Sequence, residues 1–381
     1  MKLGRRLLCG LSMLLAFALS GCSTDPGPVA PDVEDPAAKL TAGQGVPGQY
    51  IVVLRDDVTD VEGVARGLAR QHGAVPEHVY RYTIKGFSVA LPEPAIQALQ
   101  RNPQVAYIEP DQVATAVGIH AKPSPPTPAP QTIPWGVTRV GGAGTGAGKT
   151  AWVIDTGIDL DHPDLLVDVA RSQTFVTRTR NADDANGHGT HVAGTIAAVN
   201  NSLGVVGVAA GARVVAVRVL DSRGSGLYSW VIAGVDYVAA NGAWGDVANM
   251  SLIGGPSEAL DTAVLRAADG GVRFALAAGN DRADANNYSP ARVNGANVYT
   301  VSAIDINGTF ASFSNYGNPP VDYAAPGVRV YSTYKGGAYA TMSGTSMAAP
   351  HVAGLLLLGT VSADGTASSD PDGNADPIAH R

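Results

Sequence analysis

Short apolar runs alternate with helix-like segments through residues 135–360. The runs lie at 151–154, 213–219, 247–250, 272–277 and 298–303. The first is uninterrupted by polar residues, as is typical of a parallel strand buried on both faces. Strands that alternate with helices indicate an α/β domain, and we expect a mostly parallel sheet with helices on both faces.

A different pattern precedes this region. Strand-like segments at 50–54, 86–91 and 105–108 alternate with helix-like segments at 61–72 and 93–101. Over residues 48–117 they predict a small α+β domain with an antiparallel sheet and two helices. Residues 118–134 are rich in proline and are expected to be an extended linker. Residues 361–381 are polar and are expected to be an irregular tail, whose several carboxylates lack the spacing of an EF-hand calcium loop.

The N-terminus has the features of an export signal. In residues 1–21, three basic residues precede an apolar stretch at 7–19 that is too short to span a membrane as a stable helix. Leu19-Ser-Gly-Cys22 resembles a bacterial lipoprotein cleavage box, which would place a lipid on Cys22 and make 22–47 a tether. Ala16-Phe-Ala18 offers an ordinary signal-peptidase cut instead. The only cysteines are Cys9 and Cys22, so the processed chain is expected to lack disulfides.

Composition limits the possible functions. A chain of 381 residues with 45% hydrophobic content suggests two or three units with one sizeable core. Its net charge of −7, without a basic run, argues against nucleic-acid binding. Contact with a membrane is expected only through the N-terminal lipid, and the protein is expected to be monomeric.

Three polar residues stand where apolar segments end or begin. Asp155 follows the first strand, His188 lies between two glycines, and Ser346 precedes an apolar helix predicted for 347–358. Imidazole can take the proton of a serine hydroxyl, and a carboxylate fixes the imidazole tautomer, so the three together can activate a nucleophile. Thr190 is predicted to cap the helix after His188, and Pro350 to fall in the first turn of the serine helix.

Other chemistries fit these residues less well. An aspartic protease needs a second Asp-Thr-Gly or Asp-Ser-Gly, and only the one at Asp155 occurs. His188 and His191 could ligate a metal, but the glutamate of a zinc-protease helix is absent, so His191 is predicted to be structural. The glycine-rich stretch 143–150 resembles a phosphate-binding loop, but a strand follows it where a helix would be required.

The three segments resemble those of the subtilisin superfamily of serine proteases, whose chain order is also Asp, His, Ser. The segments at 218–229, 283–290 and 313–317 are similar to proteinase K and its relatives, although Val192 stands where that group often has cysteine. By this resemblance, residues 48–117 are the intramolecular chaperone and inhibitor of a zymogen, and self-cleavage falls between about 115 and 131. An unrelated accessory domain is the alternative for 48–117.

The resemblance also implies roles for further residues. Asn280 would donate from its side chain, and Ser346 from its backbone, to the oxyanion of the reaction. Two strand edges would hold the substrate backbone. The second of these edges, Ser251 to Gly254, and a third segment would wall the primary specificity pocket as a roomy slot for a hydrophobic or aromatic side chain. These residues are Gly224, Ser225, Gly226, Ser251, Leu252 and Gly254 at the edges, and Ala277, Ala278 and Gly279 at the pocket. Ile253 departs from the family's glycine, and its side chain would either narrow the slot or point away.

A structural calcium ion is also implied by the resemblance, with Asp322 and the carbonyls of Ala296 and Val298 as ligands. The expected function is that of an exported subtilisin-like endopeptidase that cuts proteins through an acyl-enzyme and removes its own propeptide. The rival hypothesis is a binding protein that kept the fold and lost efficient catalysis. The presence of Asp155, His188, Ser346 and Asn280 argues against it.

Overall fold

The computed structural model describes residues 41–118 and 130–381. The predicted signal peptide, Cys22 and most of the two predicted linkers lie outside these residues. Within them, no helix combines the length and the apolar character needed to cross a membrane.

The N-terminal domain is an antiparallel sheet with two helices, as predicted. Its elements are β1 (Gly45–Leu54), α1 (Val61–Gln71), β2 (Val79–Tyr80), β3 (Gly86–Ala90), α2 (Glu93–Leu99) and β4 (Val105–Ala116). The strand order is β4-β1-β3-β2. Val52 and Leu54 of β1 pack under the two helices, whereas Ile51 and Val53 face the rest of the protein. Strand β4 continues to Ala116, well beyond the predicted end at residue 108.

The remaining elements form the α/β domain. In chain order they are α3 (Trp135–Arg139), β5 (Gly144–Thr145), β6 (Thr150–Asp155), β7 (Leu166–Val167), β8 (Gln173–Thr174), α4 (His188–Ala197), β9 (Ala209–Ala210), β10 (Arg213–Arg218), β11 (Ser225–Leu227), α5 (Tyr228–Asn241), β12 (Val247–Met250), β13 (Leu252–Ile253), α6 (Glu258–Asp269), β14 (Arg273–Ala277), β15 (Val298–Ile304), β16 (Val321–Pro326), β17 (Val330–Tyr334), β18 (Ala338–Met342), α7 (Thr345–Leu358), β19 (Ser362–Thr366) and β20 (Pro377–His380). All five strands predicted from apolar runs are present.

The main sheet has the order β19-β20-β16-β15-β14-β12-β6-β10-β7, and every pair except β19–β20 is parallel. Strand β6 lies inside it and is buried on both faces. Ala151 and Val153 pack with residues of α4 and α7, whereas Trp152 and Ile154 pack with residues of α5 and α6. This two-sided burial explains the uninterrupted apolar run and brings Asp155 to the carboxyl edge of the sheet, where open α/β sheets place their sites.

The prediction of an irregular C-terminal tail is wrong. Strand β20 pairs in parallel with β16 at the edge of the main sheet, and β19 pairs antiparallel with β20. Ile378 is buried with Ile304, Phe310 and Ala324, and the Arg381 amide donates to the Val140 carbonyl at 3.0 Å. The strands are short and their partners lie far away in sequence, so residues 361–381 carry no periodic signal of their own.

We expect Ile378→Ala to lower the free energy of unfolding by about 2–5 kcal/mol, because it leaves a cavity where β20 packs on the sheet. Thr366→Ala, on the exposed face of β19, should change it by no more than about 0.5 kcal/mol. Both are measured by denaturant unfolding in a Ser346→Ala background, which removes the candidate nucleophile. If Ile378→Ala lowered the free energy of unfolding no more than Thr366→Ala does, the packing of β20 would contribute no stability.

Candidate active site

The candidate base and its carboxylate partner are buried together. Both carboxylate oxygens of Asp155 lie within hydrogen-bond distance of His188 Nδ1, at 2.8 and 3.0 Å, and both side chains are fully buried. Burial alone would lower the pKa of His188, but the charge and hydrogen bond of Asp155 outweigh this effect and raise it. The pair therefore favours the protonated imidazole that forms when the base takes a proton.

A second carboxylate, which the sequence reasoning missed, holds the turn that carries His188. The buried Asp184 side chain accepts five hydrogen bonds. The donors are the amides of Asn186, Gly187 and Thr190 and the hydroxyls of Thr156 and Thr190. Because Thr156 follows Asp155, this carboxylate connects the segments of both candidate residues.

Asp184 also replaces the predicted cap of α4. The helix begins at His188 and its N-cap is Gly187, which has no side chain to offer. Thr190, the predicted cap, already lies in the first turn, and its amide donates to Asp184 at 2.9 Å. A short acidic side chain just before a helix start was the available signal.

His191 takes a structural position, as the sequence suggested. Its Nε2 atom lies 3.1 Å from both the Val330 and the Ala340 carbonyl oxygens, and burial lowers its pKa to about 3. His191 is therefore neutral and serves to connect α4 to the β17–β18 hairpin.

The candidate nucleophile is bound reciprocally to Ser251. Ser346 Oγ donates to the Ser251 carbonyl, and Ser251 Oγ donates to the Ser346 carbonyl, both at 3.0 Å. Pro350 explains the second bond. Since α7 begins at Thr345, Pro350 lies in the second turn of the helix and not in the first turn, as predicted from the sequence. Because proline has no N–H, the Ser346 carbonyl lacks the donor that residue 350 would otherwise supply. Ser251 Oγ supplies that donor.

Asn280 is oriented by the first residue of the same helix. The amide and hydroxyl of Thr345 both donate to Asn280 Oδ1, at 2.9 and 3.0 Å. A Cβ atom added to Gly344 would lie 2.9 Å from Asn280 Nδ2 and 2.7 Å from the Val117 carbonyl oxygen. Only glycine leaves this space open, and the carbonyl of Val117 enters it beside the Asn280 amide.

The end of β4 lies between the two strands proposed to bind substrate. It pairs antiparallel with β11 on one side and β13 on the other. The Ala116 amide donates to the Gly224 carbonyl at 2.8 Å, and the Val117 amide donates to the Ser251 carbonyl at 3.3 Å. Both strands proposed to bind substrate are therefore paired with the end of β4, which is a segment of the same chain.

The peptide bond after Val117 lies at the candidate triad. His188 Nε2 lies 3.4 Å from the position that a Cβ atom on Gly118 would take, and the backbone of Val117 contributes to the raised pKa of His188. The carbonyl oxygen of Val117 meets Asn280 and Gly344, whereas its side chain is buried next to Ala278. The Val117–Gly118 bond therefore has the base on one side and the amide donor on the other.

Two carboxylates of β4 hold this strand against helix N-termini. Glu109 accepts from Ser257 Oγ and the Ala259 amide at the start of α6, at 2.7 and 3.0 Å. Asp111 accepts from the Ser229 amide in the first turn of α5, at 3.0 Å. Burial raises the pKa of both carboxyl groups, that of Asp111 to about 6, and the hydrogen bonds from the helix starts offset part of this cost.

A third carboxylate belongs to the α/β domain and binds the N-terminal domain. Asp236 on α5 accepts hydrogen bonds from the backbone amides of residues 81–83 and from Thr83 Oγ1. The N-terminal domain is thus fastened to the main-sheet helices through the β4 strand and the 81–83 turn, and Arg266 of α6 adds an ion pair with Asp56 at 2.8 Å.

The candidate calcium ligands lie where β15 begins. Asp322 is half-buried, accepts from the Thr300 amide at 2.9 Å, and has its pKa raised by burial to about 6. Ala296 lies in the loop that precedes the strand, and Val298 is its first residue. No group of three or more His, Cys, Asp or Glu side chains in 41–118 and 130–381 is arranged to hold a metal ion. A hard cation here would therefore rely on Asp322, main-chain carbonyls and water, which are ligands that calcium accepts.

Comparison with known proteins agrees with this geometry. A model of the subtilase family matches residues 146–365, and a model of the peptidase inhibitor I9 family matches residues 49–116. The two matched ranges correspond to the α/β domain and the N-terminal domain.

Individual relatives match across both ranges. The chain is 40% identical to an extracellular serine proteinase of Thermus sp. (strain Rt41A), over 92% of this chain and 89% of that protein. It is 36% identical to proteinase R of Parengyodontium album, over 90% of this chain and 88% of that protein. A crystal structure of a cold adapted subtilisin-like serine proteinase aligns with a TM-score of 0.58 at 42% identity, covering 65% of this chain and 97% of that one.

Asp184→Asn should reduce kcat/KM for a chromogenic peptide by about 10- to 100-fold, because the turn that positions His188 loses one of its two acceptor oxygens and the new NH2 group faces other donors. The negative charge of Asp184 also helps to raise the pKa of His188. Removing that charge lowers this pKa, so the acidic limb of the kcat/KM profile should move to lower pH.

The control for this prediction is Asp183→Asn, because Asp183 is the exposed neighbouring carboxylate. It should leave the acidic limb in place. An Asp184→Asn profile that overlays that of Asp183→Asn would remove the positioning role.

Proposed function

The chain belongs to the subtilase family of serine proteinases, and we propose that it is a zymogen that cleaves its own chain between Val117 and Gly118. The observation that supports this most directly is the position of β4. Its end pairs with both β11 and β13, and the carbonyl of Val117, the residue after the strand, lies beside Asn280 and Gly344. An extended peptide held by main-chain hydrogen bonds on both sides is bound as a substrate would be.

The reaction begins with a rotation of the serine hydroxyl. Ser346 Oγ leaves the Ser251 carbonyl, passes its proton to His188 Nε2 and bonds to the carbonyl carbon of Val117. Negative charge then develops on the Val117 oxygen. The Asn280 side-chain amide and the Ser346 backbone amide stabilise it, and in subtilisin the loss of the equivalent side-chain donor costs about 10²–10³ in kcat.

Breakdown of this intermediate releases a new N-terminus. His188 returns the proton to the nitrogen of Gly118 as the carbon–nitrogen bond breaks, leaving Val117 as an ester on Ser346. Water then attacks the ester while His188 takes its proton, and His188 passes that proton to Ser346 Oγ as the ester bond breaks, which frees the C-terminal carboxyl group of Val117 and restores the serine. The Asp155 side chain, bound to His188 Nδ1, stabilises the imidazolium in both steps.

The released N-terminal domain would then act as an inhibitor. Cleavage after Val117 breaks none of the contacts made by Glu109, Asp111 and Asp236. The domain therefore retains its hold on the helices while its last residues still occupy the substrate strands. This behaviour fits the peptidase inhibitor I9 match of residues 49–116.

After release of that domain, the same strand edges would accept other proteins. Recognition by main-chain hydrogen bonds tolerates many sequences, so we propose broad specificity. The pocket that holds the Val117 side chain is apolar, which favours a hydrophobic residue before the scissile bond. We further propose a monomeric enzyme, because the interactions of the site lie within one chain.

We also propose that the protein is exported, in keeping with its predicted signal peptide and with a Thermus relative called extracellular. A lipid on Cys22 would stay with the N-terminal fragment, so that cleavage after Val117 would free the enzyme.

Wild-type proprotein, refolded from denaturant, should separate into two fragments, the larger of which begins at Gly118. Ser346→Ala should remain a single chain, because it lacks the nucleophile. Intact mass and N-terminal sequencing identify the bond, and the mass of the smaller fragment from expressing cells shows whether Cys22 carries a lipid. Wild-type protein that folds but stays whole and does not digest casein would favour the rival binding-protein hypothesis.

A calcium ion bound by Asp322 and the Ala296 and Val298 carbonyls is our proposal for the structural metal. Calcium at about a hundredfold above its Kd should stabilise the Ser346→Ala protein by about 2.7 kcal/mol. Asp322→Asn should abolish most of the corresponding rise in Tm. Asp370→Asn, in the acidic C-terminal segment, is the matched control and should keep it. The reverse result would place the ion in that C-terminal segment.

A further inference from the structure

We propose that Ile253 closes the primary specificity pocket to aromatic side chains, so that the preferred residue before the scissile bond is valine or a similarly small aliphatic residue. This inference rests on the proposed function, because it assigns the side chain that the protease accepts. It replaces the expectation of a roomy slot, which rested on the small residues Ala277, Ala278 and Gly279.

The side chain of Ile253 points into the pocket. Ile253 is only 5% exposed, and its Cδ1 atom lies 3.2 Å from the position that a Cβ atom on Gly279 would take. Gly279 belongs to the wall that faces β13. The isoleucine therefore spans the gap between the two walls of the pocket, a gap that a glycine at position 253 would leave open.

Valine fits what remains. The Val117 side chain is 6% exposed and belongs to one apolar cluster with Ile253 and Ala278. The other buried members of that cluster are Ala285, Ala291 and Val321, with Tyr288 packed against them. Protein interiors are close-packed, so a larger side chain at position 117 would have to displace one of these groups.

The walls are held at their backbones and resist such displacement. On one side, Ile253 pairs with Thr115 in the strand ladder. On the other, Asn315 donates to the Ala278 carbonyl and accepts from the Asp281 amide, both at 2.9 Å. A β-branched side chain such as isoleucine has few rotamers through which to withdraw. Overpacking of this kind should slow cleavage by about tenfold to a hundredfold.

The test uses mature enzyme and fluorogenic peptides that copy residues 113–118, with Val, Ala, Leu or Phe at position 117. For wild type, kcat/KM for the Val peptide should exceed that for the Phe peptide by about tenfold or more. Ile253→Gly should reverse this order by opening the slot, and Ile253→Val should give an intermediate ratio. Ile306→Gly, the same change at an exposed isoleucine, should keep the wild-type ratio.

The outcomes separate this inference from the proposed function. Equal cleavage of the Val and Phe peptides by wild type, or an unchanged ratio in a folded Ile253→Gly, would overturn the role of Ile253 and leave the protease intact. Failure of wild type to cleave any peptide or casein would instead overturn the proposed function. If Ile253→Gly does not fold, the wild-type series and Ile253→Val decide the matter.

A second test of the narrow pocket uses self-cleavage of the proprotein in place of added peptides. Val117→Phe should delay self-cleavage of the refolded proprotein by about tenfold or more, and Ile253→Gly in the same chain should restore it. Self-cleavage of Val117→Phe at the wild-type rate would contradict the narrow pocket.

Discussion

The register of β4 is the constraint on which the geometry of this active site depends. Side chains alternate across a strand, so a slip of one residue would move Ala116 into the place of Val117 and displace the scissile carbonyl by about 3.3 Å. Glu109 and Asp111 prevent that slip. They lie two residues apart on one strand, and each is bound to the first turn of a different helix. Because both helices are packed on the main sheet, the register of the bound peptide is fixed by the fold of the protease itself.

Hydrogen bonds of polar side chains also connect the first turns of α4 and α7 to strands of the main sheet. Asp184 connects the turn before α4 to Thr156, directly after β6, and Ser251 connects the exit of β12 to the serine in α7. In both cases a polar side chain satisfies backbone groups that a helix end or a proline leaves without partners. The triad is therefore positioned by hydrogen bonds that the helices require in any event. Asp155 and His188 can remain buried because each is the partner of the other.

Much of the fold followed from local patterns in the sequence. The apolar run at 151–154 and the helix around Pro350 are visible because a fully buried strand and a fully buried helix leave long hydrophobic segments. The triad was recognisable because Asp155, His188 and Ser346 each stand at the boundary of such a segment. These features depend on neighbours within a few residues.

The features that escaped prediction depend on partners far along the chain. Ile378 lies in a four-residue strand whose existence rests on β16, so its own sequence offers no period to detect. The role of Asp184 depends on a turn whose amides converge on one carboxylate, and composition does not reveal such convergence. The sequence alone did not decide whether the Ile253 side chain points into the pocket, because its orientation follows from the register of β13 against β4.

The orientation of the Ile253 side chain also affects how the N-terminal domain acts as a substrate and then as an inhibitor. In the proposed self-cleavage, the pocket narrowed by Ile253 and the anchors at Glu109, Asp111 and Asp236 would bind the chain equally before and after the Val117–Gly118 bond is cut. Interactions that are equal in both states do not accelerate the reaction, but they do retain the product. The contacts that differ during the reaction are few: the proton on His188 and the charge beside Asn280. In the proposed mechanism, catalysis is therefore concentrated at these two residues and Ser346, while the remainder of the interface determines how long the cleaved domain stays bound.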